Sequence, residues 1–136
     1  ITDRVSVLRY RGEKTVVCTP EYIMQRYGIT PKQYADWKSL VGDTADNIKG
    51  AENIGAKTAA ALLREFGSLP HILFYAEKIK KPSVRESVIR NAEKLGTNYR
   101  MIQLSNCTAL PFDMQELKFH DSGITTNEVL KNIGLK

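Results

Sequence analysis

The spacing of apolar positions divides the chain into a short β region and a long helical one. Arg4 to Tyr10 (RVSVLRY) and Lys14 to Cys18 (KTVVC) are β-rich runs, and Arg11-Gly12-Glu13 between them reads as the turn of a β-hairpin. From Thr19 onward the signals are helical. Thr19 at the N-cap with Pro20 after it predicts a helix to Tyr27, stopped by Gly28. Thr30 and Pro31 repeat the signal and predict a helix to about Leu40, with Tyr34, Trp37, Leu40 and Val41 as its apolar stripe. Ala56 to Phe66 is rich in good helix formers, carries Ala59, Leu62, Leu63 and Phe66 on one face, and is closed by Gly67. Ser68 caps a short helix, Leu69 to about Glu77, with Leu69, Ile72, Leu73 and Ala76 facing inward. Ser83 caps another, Val84 to Leu95, that Gly96 ends, and Asn98 to Leu104 is a further short helix. Asn106 to Phe119 is expected to be extended and irregular around Pro111. Thr125-x-x-Glu128 is a capping box for a last helix, Thr126 to Ile133, ended by Gly134. The pattern therefore predicts a mainly α protein with a small N-terminal β-hairpin.

Composition narrows the class without naming an activity. At 136 residues the chain is one domain by length, and 42% hydrophobic residues suffice for a core. A net charge of +5 fits a polyanionic partner without demanding one. Cys18 and Cys107 are too few for a disulfide scaffold or a zinc site, so a reducing, cytoplasmic setting is the default. No apolar run approaches membrane-spanning length. The chain opens on Ile1, already in a strand-like run, which suggests a piece whose N-terminal part is missing. His71 and His120 stand alone and read as surface or core residues. Trp37 could stack on a base, but in such a stripe it reads as core. The cations Arg9, Arg11 and Lys14 at the hairpin tip read as a solvated turn, and the run Lys78, Lys80, Lys81 serves equally as a phosphate contact or a solubilising loop.

Chemistry concentrates in Val41 to Gly67, VGDTADNIKGAENIGAKTAAALLREFG. Asp43 and Asp46 stand three residues apart. On a helix that spacing puts both on one face, where hard oxygen ligands suit Mg²⁺ or Mn²⁺. The competing reading makes Asp43 an N-cap and Asp46 its capping-box partner. Next to them, a turn from Gly50 to Gly55 enters the strong helix, with Lys57 near its start. The first amides of a helix lack intrahelical partners and carry partial positive charge, so phosphate binds well there. Gly55 lets a strand come close and Lys57 adds a full charge. Helix, tight glycine turn and helix form the layout of a helix–hairpin–helix, which holds a nucleic-acid backbone without reading bases. Any helix entry also uses glycine, and that plainer reading stands beside it.

Taken together, GDTADNIKGAENIGAKTAAALLREFGSL resembles the 5′-nuclease family: the 5′→3′ exonuclease domain of bacterial DNA polymerase I, phage 5′ exonucleases and flap endonucleases. TPEYIMQRYGITPKQYADWKSLVGD resembles the segment that links that family's catalytic sheet to its DNA clamp. The likeness runs from Asp3 to about Phe119 and is highly specific only over Val41 to Leu69. One position departs from the family pattern: Asn53 stands where a glycine is usual, and Asn tolerates positive φ better than most residues.

The resemblance implies a SAM-like, helix–hairpin–helix helical domain detached from its α/β catalytic sheet. Residues 1–18 would be a hairpin remnant of that sheet, 19–119 the DNA-binding domain and 120–136 a tail with a short helix. It implies that Asp43 and Asp46 serve a second divalent-metal site as catalytic acids. Lys49, Gly50, Gly55, Ala56, Lys57 and Thr58 would contact DNA, and the carbonyls of Ile48, Ala51 and Ile54 would hold K⁺ or Na⁺. The implied partner is duplex DNA next to a 5′ flap or nick, bound without sequence preference by a monomer fused to or working with a DNA polymerase. Most of the family's carboxylates lie upstream of this stretch, so the chain alone is expected to bind DNA weakly and not to cut it. A non-enzymatic helix–hairpin–helix module is the runner-up, and a generic helical interaction domain the third reading.

Overall fold

The computed structural model describes residues 1–12, 14–104, 113, 123–132 and 134. Strands β1 (Val7–Arg11) and β2 (Lys14–Cys18) pair antiparallel from Val7↔Cys18 to Arg11↔Lys14. The first strand thus starts later than its β-rich run and continues through Arg11, which leaves Gly12, at φ 55°, in the turn. Helix α1 (Pro20–Tyr27) is capped by the Thr19 hydroxyl, which accepts from the Tyr22 amide at 3.2 Å, and Gly28 in the left-handed region ends it. The second helical segment opens as a 3₁₀ turn, Pro31–Gln33, closed by a Thr30/Gln33 capping box, and continues as α2 (Tyr34–Val41). Helices α3 (Ala56–Phe66) and α4 (Leu69–Phe74) follow, the latter capped by Ser68 and succeeded by a 3₁₀ turn, Ala76–Lys78.

The C-terminal helices differ from the sequence expectation. Helix α5 (Pro82–Arg90) begins at Pro82 with Lys81 as its N-cap, so Ser83 lies inside it and does not cap it. It breaks at Asn91, and α6 (Ala92–Ile102) then runs through Gly96 without stopping. The cause of the break is local. The buried Asn91 side chain donates to the Ser87 carbonyl at 2.7 Å, one turn back, and shares that acceptor with the Asn91 amide at 3.1 Å. Gly96 ends nothing because the Asn98–Leu104 segment belongs to the same helix as far as Ile102. Helix α7 (Thr126–Asn132) has its Thr125/Glu128 capping box: the Glu128 carboxylate accepts from the Thr125 amide at 2.8 Å. Cys107, His120, Ile133 and nearly all of the stretch expected to be irregular lie outside the described residues.

The chain separates into two units, Ile1–Leu104 and Ser105–Lys136. The core of the first is built from Ile29, Leu40, Leu63, Leu69, Ile72, Val84, Val88 and Leu95, all essentially inaccessible. Helix α2 lies against α3, α4 and α6 and carries the buried Trp37 and Leu40. Trp37 packs beside Tyr27 and Tyr34, and its indole N–H donates to the Ala56 carbonyl at 3.2 Å, so it is a core residue. Asp36, also buried, accepts the first amide of α4, that of Leu69, at 2.8 Å. Burial pushes the Asp36 carboxyl up, against the lowering effect of that hydrogen bond. Among the described residues no helix is long and apolar enough to cross a membrane.

Candidate nucleic-acid interface and acidic pair

Fourteen residues, 42–55, join α2 to α3, and their path is set by close backbone packing. Gly42 leaves α2 with φ 92°, a value that disfavours any side chain. A two-residue ladder then pairs β3 (Gly42–Asp43) with β4 (Ile48–Lys49). Asn47 turns the chain between them at φ 56°. Gly50 lies directly against the end of α2: a Cβ there would overlap the carbonyls of Leu40 and Val41. The Ala51 amide donates to the Leu40 carbonyl at 2.9 Å and the Ile54 amide to the Ala51 carbonyl at 3.3 Å. Asn53 takes φ 63°, the left-handed conformation for which glycine is usual, so the departure at this position leaves the hairpin intact.

The end of the connection is the entrance to α3. Gly55 is its N-cap and supplies no side-chain bond, and no acidic residue sits in the first turn. The first amide with a helical partner is that of Ala59, which donates to the Gly55 carbonyl at 2.9 Å. The amides of Ala56, Lys57 and Thr58 are therefore uncapped by any side chain. Gly55, Ala56 and Lys57 are exposed, Thr58 is half-buried, and nothing lies within 4 Å of where a Gly55 Cβ would be. Lys49 is exposed on β4, Gly50 and Ile48 are half-buried, and Ala51 and Ile54 are buried. The predicted contact residues thus fall into an accessible set, Lys49 on β4 with Gly55, Ala56 and Lys57 at the α3 entrance, and a less accessible set, Gly50 and Thr58.

The acidic pair is not on a helix. Residues 44–47 form turns, with Asp43 on the short β3 and Asp46 on the turn. Neither the shared helical face nor the helix-start capping box expected for Asp43 and Asp46 forms. Gly42 and Asn47 have positive φ, which a helix excludes, and the Asp43 Oδ1 accepts the Ala45 amide at 3.2 Å, two residues on. Its Oδ2 accepts from the Lys38 ammonium at 2.6 Å, a pair that is only about one-fifth exposed. The Lys38 hydrogen bond, first among its causes, holds the Asp43 carboxyl below the usual carboxylate range. Asp46 is exposed. Among the described residues no group of three or more His, Cys, Asp or Glu side chains could hold a metal ion. The two acids do not fit a divalent ion by themselves, since one already serves an ammonium and a backbone amide.

A depressed Asp43 pKa means that this carboxylate adds stability above its unfolded-state pKa. That contribution is lost as pH falls through the lower folded value. Lys38→Met is expected to raise the Asp43 titration midpoint toward the unperturbed value near about 3.9. Carboxyl ¹³C chemical shifts followed against pH read this directly, and an unmoved midpoint would deny Lys38 its part.

Sequence reasoning missed the residues that hold the hairpin from below. Asn98 Nδ2 donates to the Lys49 carbonyl at 2.9 Å and to the Ser39 carbonyl at 3.1 Å, tying α6 to both sides of the turn. The Ser87 hydroxyl donates to the Glu52 carbonyl, and Asn91 Nδ2 donates to the Glu52 carboxylate at 2.7 Å. The Asn91 bond leads the causes that hold the Glu52 carboxyl low. All three side chains are buried. The signal was present: Ser87, Asn91 and Asn98 occupy the same helical stripe as Val84, Val88 and Leu95, polar residues at core positions.

Two helices, α2 and α3, joined by a tight turn-rich hairpin and braced by α6, make a helix–hairpin–helix arrangement in a mainly helical domain. The chain belongs to the 5′-3′ exonuclease family: the family described as 5′-3′ exonuclease, C-terminal SAM fold, matches residues 29–124. It is 36% identical over 116 residues to the thermostable DNA polymerase I of Thermus caldophilus, a match over 85% of this chain and 14% of that protein. It is 40% identical over 100 residues to the 5′-3′ exonuclease of Buchnera aphidicola, a match over 74% of this chain and 33% of that one. A structure of T5 5′-exonuclease with zinc bound superposes with a TM-score of 0.66 at 25% identity, over 75% of this chain and 37% of that one. The chain therefore spans a seventh to about a third of the relatives it matches.

Proposed function

We propose that this chain is the DNA-gripping, C-terminal part of a divalent-metal-dependent 5′→3′ exonuclease or flap endonuclease. The observation that carries the reading is the α3 entrance: three amides without a side-chain cap, a bare Gly55 and the exposed Lys57. A lysine in the first turn of a helix stands against the dipole. A strand phosphate at that end satisfies the amides and the ammonium together. Contacts of this kind are to the backbone, so the grip is sequence-independent. The intended partner is duplex DNA beside a 5′ flap or nick, held by a monomer that is part of, or works beside, a DNA polymerase like the relatives above. Potassium or sodium on the carbonyls of Ile48, Ala51 and Ile54 would bridge turn to phosphate. The Ala51 carbonyl keeps a lone pair for this beside its 3.3 Å bond from Ile54.

Asp43 and Asp46 would be the acids this chain offers to a Mg²⁺ or Mn²⁺ site that carboxylates outside it would complete. A pure binding module gains nothing from negative charge so near the phosphates, and this favours the nuclease reading. The Lys38–Asp43 ion pair favours the alternative, a non-enzymatic helix–hairpin–helix module, because it occupies one of the acids.

Lys57→Ala is expected to weaken DNA binding equally on unrelated sequences and to lower the slope of log K against log salt by roughly one unit. The measurement is a set of binding curves on flap and plain duplex between low and moderate salt, in K⁺ and in tetramethylammonium. A loss confined to one sequence contradicts a backbone grip, and identical affinity in the two cations removes the monovalent site. In the same samples the chain is expected to leave flap DNA uncut with Mg²⁺ or Mn²⁺. Metal-dependent cleavage that Asp46→Asn abolishes would show that it holds a complete site after all.

A further inference from the structure

The outer face of α1 and α3 encloses an open depression of about 690 Å³, of which the hairpin reading uses only Ala56 and Lys57. Three of its lining residues are cations, Arg26 from the last turn of α1 and Lys57 and Arg64 from the two ends of α3, and no acidic side chain lines it. All three are exposed, and the ion pairs among the described residues, Lys38–Asp43 and Lys94–Glu52, involve none of them. Gly28 makes room: at φ 71° it ends α1 without a side chain, and a Cβ there would stand 3.6 Å from that of Ala60 and 3.8 Å from the Arg64 guanidinium. Tyr27 and Trp37 form the apolar part of the wall, and the Trp37 N–H is already spent on the Ala56 carbonyl. Three like charges facing one concavity repel one another, and a polyanion relieves that repulsion.

We propose that this depression is a second phosphate subsite, which takes the DNA strand onward from the α3 entrance across to α1. Lys57 belongs to both places, so the track is continuous, with Arg26 and Arg64 as its outer contacts. Guanidinium groups suit the task because their planar fork matches two phosphate oxygens at once. The inference rests on the DNA-binding reading above, and the ligand chemistry is that of a phosphodiester in a strand.

Trp37 is the chain's one tryptophan and lines the depression, so its fluorescence reports occupancy. The test compares the full chain with Arg26→Ala/Arg64→Ala and with Lys57→Ala, titrated with a duplex at several salt concentrations and with a deoxynucleoside monophosphate. The double variant removes exposed, unpaired side chains, and its circular-dichroism melt is expected to match the parent's. Its salt slope is expected to fall by about two units, at about 0.9 per phosphate contact, and its Trp37 response to DNA to disappear. An unchanged slope in the double variant, with Lys57→Ala still lowering it by one unit, overturns the second subsite and leaves the hairpin grip standing. If neither variant moves the slope, both readings fall. Saturation of the Trp37 signal by the free monophosphate, with the DNA slope unchanged in the double variant, makes this a mononucleotide pocket and overturns the strand track.

Discussion

Gly50→Ala is expected to destabilise the domain by about 3 kcal/mol or more, among the larger effects of any single methyl group here. The added Cβ would overlap the carbonyls of Leu40 and Val41, which are backbone of the last turn of α2 and have no rotamer to change. The turn must move away from α2, and the Ala51 amide then loses the Leu40 carbonyl that it meets at 2.9 Å. Urea unfolding followed by circular dichroism measures the loss, with Gly96→Ala as the contrast. Gly96 lies inside α6 with nothing within 4 Å of a Cβ and no positive φ, so alanine there is expected to stabilise by about 0.5–1 kcal/mol. Equal and small effects at both glycines would mean that the packing of hairpin against α2 is looser than described.

Asn98→Ala is expected to cost about 2–4 kcal/mol, because two carbonyls, those of Ser39 and Lys49, lose their donor in a buried place. The effect should reach function, since Lys49 leads into the turn that presents the α3 entrance. DNA affinity is expected to fall even at temperatures where the variant is fully folded. Asn98→Asp sharpens the case. Its carboxylate would face two carbonyl oxygens, so the site favours the protonated acid and raises its pKa. The variant should then recover stability as pH falls toward that raised value and lose it again as pH rises. A stability deficit independent of pH would argue that Asn98 acts only by filling space.

Elements set by local chemistry were legible in the chain itself. Thr19 with Pro20, Ser68 with the Pro70 turn, and Thr125 with Glu128 each carry a cap whose partner lies within three residues, and each begins a helix where expected. The apolar stripe of α3 is equally local. The errors fall where a distant partner decides. Asp43 reads as a helix cap until Gly42 and Asn47 turn the backbone and Lys38, five residues earlier, takes its carboxylate. Ser83 and Gly96 carry the right residue types for a cap and a stop, but Pro82 and the Asn91 side chain set the ends of α5. The contacts of Asn98 lie 49 and 59 residues away, and no window of sequence contains both ends of such a bond. The candidate site was legible in the residues of the α3 entrance, Gly55 to Thr58, and not in what positions them.

The central claim is that the open end of α3 receives a phosphate. Amide ¹H–¹⁵N spectra of the chain titrated with duplex DNA address it most directly. The resonances of Ala56, Lys57 and Thr58 are expected to show the largest shifts and to return to their free positions as salt is raised. Largest shifts confined to the α5–α6 surface, with these three amides unmoved, would contradict it.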